Sequence, residues 1–66
     1  MFAKKEEVHP GTVLRADGGF TCLDDGEILT VRRDEDGVLS VPCRQGSHGL
    51  NGQLENGEYV GLFFVP

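Results

Sequence analysis

The chain has 66 residues, ten of them Gly and five aromatic, with 11 Asp and Glu against 6 Lys and Arg for a formal charge of -5. That length holds one domain and excludes a dinucleotide-binding α/β domain, a TIM barrel or a two-domain enzyme. The acidity argues against general phosphate-backbone binding, which needs a basic surface, and no run is long and apolar enough to span a bilayer as a helix.

The chain opens Met1-Phe2-Ala3-Lys4-Lys5-Glu6-Glu7. Two carboxylates follow the lysines where a secretory signal needs an apolar stretch, so a cytoplasmic protein is expected. Only two cysteines are present, fewer than a secreted domain of this size usually carries. With its opening Met1, the chain reads as a complete small gene product of the bacterial or phage accessory kind. Residues 1–10 are expected to be a flexible or loosely packed N-terminal segment of the single domain 1–66.

Turn signals then recur: Asp17-Gly18-Gly19, Asp25-Gly26, Asp36-Gly37, Asn51-Gly52 and Asn56-Gly57. Gly tolerates positive φ, and Asp or Asn bonds its own backbone, so each pair marks a turn. Between them lie β-favouring runs at 12–16, 20–23, 28–33, 38–43 and 59–65. No window keeps the apolar spacing of a helix. Short strands at such intervals predict an all-β domain. Asn56-Gly57 has the residues of a type I′ hairpin pairing 52–55 with 58–61, which sets Glu55 opposite Glu58. The expected architecture is a rolled sheet or partly open barrel, SH3-like or OB-like, of five to six antiparallel strands.

Alternation assigns faces. Leu39, Val41 and Cys43 share one side of their run, with Val38, Ser40 and Pro42 on the other. Pro42 cannot donate to a ladder, so an edge or strand end is expected there. In the last run Val60, Leu62 and Phe64 alternate with Tyr59, Gly61, Phe63 and Val65, and both sides are apolar.

Chemistry-bearing residues are few. His9, Cys22, Cys43 and His48 are the only metal set on offer, and they lack the paired C-x2-C knuckle of strong zinc sites. The expectation is therefore buried thiols, surface histidines and no metal or other cofactor, with a zinc-stabilised mini-domain on these four as the competing reading. In a meander, Cys22 and Cys43 would lie two strand spacings apart, about 9.6 Å. Bridged cysteines need Cα atoms within about 7 Å, so no disulfide is expected. Cys43 beside His48 lacks a clear group to orient the imidazole, and no enzyme is expected.

Asp24, Asp25, Glu27, Asp34, Glu35 and Asp36 crowd around one run, offset by Arg32 and Arg33. They read as solvated turns, with phosphate mimicry toward a nucleic-acid enzyme as the competing reading. The spacing does not fit a calcium loop. The segment 44–51 reads as a polar loop whose Arg44, Gln45, Ser47, His48 and Asn51 offer donors and acceptors for recognition. Phe63, in the C-terminal apolar strand, offers a patch for a protein partner or for symmetric dimerisation, unless Phe2 or Val8 lies over it. The functional expectation is a non-catalytic protein-interaction module using the 44–51 loop and the last strand. Direct nucleic-acid or membrane binding is not expected.

Overall fold

Nine short strands build the molecule in this computed structural model, which describes residues 1–66. In chain order they are β1 (Ala3–Lys4), β2 (Val13–Ala16), β3 (Ile28–Thr30), β4 (Arg32–Arg33) and β5 (Leu39–Cys43). Then come β6 (Gly46–Gly49), β7 (Leu54–Glu55), β8 (Glu58–Tyr59) and β9 (Leu62–Phe64). Short 3-10 helices at Lys5–Glu7 and Leu50–Gln53 are the helical pieces. The strands form three antiparallel three-stranded sheets, in the orders β1-β8-β7, β3-β2-β9 and β4-β5-β6. The all-β expectation holds. The strand count is higher than five or six because the 28–33 and 59–65 runs each break in two and β1 and β6 form outside the expected runs, which outweighs the loss of a strand at 20–23.

The 28–33 run breaks at Val31. Its N–H donates to the Thr12 carbonyl at 2.8 Å, and its carbonyl accepts from Gly11 at 2.7 Å. Leu29 pairs with Leu14 of β2, whereas Arg32 pairs with Ser40 of β5. One run thus serves two sheets, with the Val31 side chain buried at the bend. The 59–65 run breaks at Gly61, where φ is +84°. Gly61 accepts from the Asp17 N–H at 2.8 Å, and a Cβ there would meet the Phe20 ring at 3.0 Å. The turn abolishes the simple alternation: Tyr59 and Leu62, three residues apart, are both buried, and Val60 is only half-buried.

Residues 20–23 are not a strand, contrary to their composition. They belong to a long connection between β2 and β3 that folds back on the body. Gly19 N–H donates to Asp25 Oδ1, and the Cys22 carbonyl accepts from the Arg44 N–H at 3.2 Å. The fold-back buries Cys22 and Leu23.

The Asn56-Gly57 turn forms as expected, with φ of 52° and 78°. Its ladder is shorter, Leu54 to Tyr59 and Glu55 to Glu58, because residues 50–53 coil. Pro42 pairs with Ser47 of β6, and β4 ends before reaching it, so its missing donor faces no strand. Ser40, expected opposite the core side, is buried together with Val41; its hydroxyl reaches the Arg32 carbonyl at 3.5 Å.

The core draws on all three sheets: Leu14, Ala16, Leu29, Val31, Val41, Leu50, Tyr59 and Leu62. Ala3 and Val8 join it, so the N-terminal residues are packed rather than loose. Lys4 lies opposite Glu58, and β8 opposes Glu55 in turn, so a lysine precedes the paired carboxylates in one cross-strand row.

Candidate functional site

The 44–51 segment is not a loop but most of a hairpin. Cys43 pairs with Gly46, so Arg44 and Gln45 form a two-residue turn, and Gly46 takes a φ of 114°. Two of the five polar residues there turn back onto the body. The Arg44 guanidinium donates to Asp24 Oδ1 at 2.7 Å and to the Thr21 carbonyl at 3.1 Å. Asp24 raises the Arg44 pKa by hydrogen bonding and charge. His48, half-buried, stands edge-on to Phe20 with ring centroids 5.3 Å apart. Gln45, Ser47 and Asn51 stay exposed, and Ser47 Oγ accepts from Arg32 at 3.2 Å.

The imidazole sits in a chain of polar groups. Gln53 Nε2 donates to the Val60 carbonyl at 2.8 Å. That leaves Gln53 Oε1 facing His48 Nε2 at 3.2 Å. A carbonyl oxygen accepts only, so this network assigns the proton to Nε2 and the lone pair to Nδ1. Nδ1 then accepts from the Cys22 thiol at 3.2 Å. Gln53 was not among the residues singled out from the sequence. Its spacing of five from His48 follows no helical or strand period, and only the 3-10 helix brings the two together.

Both cysteines are free thiols. Cys43 lies beside Cys22, because Cys22 sits on the folded-back connection and not on a flanking strand. The two-strand separation expected from a meander therefore does not apply. Burial pushes the Cys22 pKa up from its ordinary 9.0, and the neighbouring Cys43 thiol raises it further. His9 is exposed in the turn before β2, where its N–H donates to Thr12 Oγ1. No three His, Cys, Asp or Glu side chains converge as metal ligands.

Phe63 lies on a different surface. Leu14 and Ala16 of β2 point into the core, so Arg15 between them points out. Arg15 is flanked across the sheet by Ile28 on β3 and Phe63 on β9. Its guanidinium lies 5.0 Å from the Phe63 ring centroid and donates to Asp17 at 3.1 Å. Phe2 covers the other part of Phe63, with centroids 5.4 Å apart. Of the two residues offered as a cover for this strand, Phe2 lies against Phe63 and leaves it half-buried, while Val8 is in the core. Ile28 is 54% exposed, Val13 40%, and Phe64 and Val65 38% each. A groove of about 470 Å³ runs beside the aromatic pair, with Lys4, Glu7 and Arg15 on its walls.

The acidic stretch is largely occupied with its own turns. Asp34 Oδ1 accepts from the Asp36 and Val38 N–H groups, and Glu27 Oε1 accepts from Asp24 N–H. Arg32 and Arg33 share the surface depression that holds Asp34, Glu35 and Asp36. In comparisons with known proteins the chain matches no family model, no curated protein and no solved structure.

Proposed function

We propose that the protein is a non-catalytic interaction module that docks a protein partner on the outer face of the β3-β2-β9 sheet. The observation carrying this reading is the outward row Ile28–Arg15–Phe63, with Phe2 stacked at its end. Aromatic residues and Arg are the side chains that dominate interface energetics. In this row the guanidinium and the rings are held by each other, so little side-chain freedom is lost on docking. The partner fitting this face presents an apolar side chain to Phe2 and Phe63 and a carboxylate toward Lys4 and Arg15.

The exposed Gln45, Ser47 and Asn51 are a further polar contact in this reading, with Arg44 and His48 shaping their hairpin. The three sheets are taken as parts of one rolled, partly open barrel, working in the cytoplasm.

The test is affinity capture from the native host with the wild type, Phe63→Ser and Arg15→Glu, using Glu35→Gln as the control. A partner retained by wild type and control but lost by both face variants is expected. Equal capture by Phe63→Ser and wild type overturns the reading. Light scattering across concentration covers a second copy as partner: a mass that doubles in the wild type and not in Phe63→Ser identifies it.

A further inference from the structure

We infer that Cys22 and Cys43 form a redox-active dithiol, closing to an internal disulfide by exchange with a small-molecule disulfide, with His48 as the base. Three observations converge on this. The Arg44 N–H bond to the Cys22 carbonyl, 3.2 Å, places the backbone at Cys43 next to that of Cys22. The Cys43 thiol is near enough to raise the pKa of the Cys22 thiol. His48 Nδ1 stands 3.2 Å from Cys22 Sγ with its lone pair toward the sulfur, as the Gln53–Val60 bond dictates. A disulfide needs Cα atoms within about 7 Å, and the backbone bond from Arg44 to Cys22 draws the two cysteine segments toward that range.

Accessibility sets the order of events. Cys43 is half-buried, and Cys22 is 5% exposed. An incoming disulfide therefore meets Cys43. The Cys43 sulfur attacks one sulfur of the reagent, forming a mixed disulfide and releasing one thiol, which takes the Cys43 proton. The Cys22 proton then passes to His48 Nδ1. Cys22 sulfur attacks Cys43 sulfur, the S–S bond to the reagent breaks, and the second thiolate leaves. That thiolate takes the proton from His48. The net change is one reagent disulfide reduced to two thiols and one protein dithiol oxidised to a disulfide.

The product ties the folded-back connection to the end of β5, closing a loop between residues 22 and 43. It also removes the thiol proton that His48 accepts, so the imidazole loses one of its two partners.

The probe is oxidised glutathione added to the native protein at neutral pH, followed by intact mass spectrometry and a thiol count. The wild type is expected to lose the mass of two hydrogens, lose both thiols together and retain no glutathione. Non-reducing peptide mapping should show the Cys22–Cys43 link. Cys22→Ser should stop with one glutathione on Cys43. His48→Ala should slow closure of the mixed disulfide by about a hundredfold or more, what loss of a positioned base typically costs, without slowing the addition to Cys43. A wild type that accumulates a stable mixed disulfide, or one that oxidises only in denaturant, overturns the inference. So does a Cys22→Ser protein with no adduct on Cys43. The wild-type measurement stands without any variant having to fold.

Discussion

Gln53 does with its side chain what a strand residue does with its backbone. Its carbonyl accepts from the Val60 N–H at 2.8 Å, and its side-chain amide donates to the Val60 carbonyl, also at 2.8 Å. Val60, at the break between β8 and β9, is thereby satisfied on both sides without a ladder. The same amide fixes the His48 tautomer. Gln53→Leu should leave the Val60 carbonyl and the His48 N–H without protein partners, at a cost of about 1–3 kcal/mol, read from urea unfolding. Two other residues govern behaviour in alkali. Burial pushes the Tyr59 phenol above its ordinary 10.0, and burial with Cys43 pushes the Cys22 thiol above 9.0. An acid whose folded pKa lies above its unfolded value contributes stability that is complete below the unfolded pKa. That stability is lost as pH rises through the folded value. The urea midpoint should therefore begin to fall near pH 9 and fall further above pH 10, starting at those ordinary values. Tyr59→Phe should flatten the upper part of that decline, and Cys22→Ala the lower. An unchanged profile in both variants would refute the assignment.

At the level of elements, glycine decides where runs of strand-forming residues stop. Gly61 has φ of +84° and the Phe20 ring 3.0 Å from where a Cβ would sit. Gly37 has φ of +80° and nothing within 4 Å. Gly37→Ala should cost only the left-handed backbone penalty, about 1 kcal/mol, whereas Gly61→Ala adds overpacking and should cost about 2–3 kcal/mol. Thermal unfolding of the two variants separates them. This contrast also explains what was legible in the sequence. The Asn56-Gly57 hairpin could be read because two adjacent residues with positive φ specify it locally. The breaks at Val31 and Gly61 could not. Alternation runs on across both, and the bend is decided by distant partners: Thr12 and Gly11 for Val31, Asp17 for Gly61. Residues 20–23 misled for a related reason. Their composition favours a strand, yet the bonds that hold them come from Arg44, whose guanidinium reaches the Thr21 carbonyl and whose N–H reaches that of Cys22. Thirteen of 32 backbone hydrogen bonds lie outside the strands and 3-10 helices, so turns and connections carry a large share of the bonding that fixes this fold.

For the whole molecule, net charge describes one region and the proposed docking face another. The acids between 24 and 36 cap turns and face arginines, while the outward row on β3-β2-β9 pairs a cation with two aromatic rings. Phe63 was legible as a patch residue of the last run, with nothing to single out Arg15. Their meeting in one row was not, because it depends on β2 pairing with β9 across most of the chain. The Cys22–His48 contact spans 26 positions and was hidden for the same reason. Phe63→Ser should cost about 1 kcal/mol, the worth of its ring stack and cation contact, while abolishing partner capture. A variant that loses both capture and its folded circular-dichroism spectrum would not support the face; one that loses capture alone does.

The contact between Phe2 and Phe63 has a practical side. It brings the two ends of the chain onto the same surface, and Met1 and Pro66 line the one groove with Phe2, Phe63 and Arg15. Any tag or fusion partner attached at either end therefore starts beside the proposed docking face and would compete with a partner seated there. A label inserted at the tip of the turn between β4 and β5, beside Gly37, leaves that surface open.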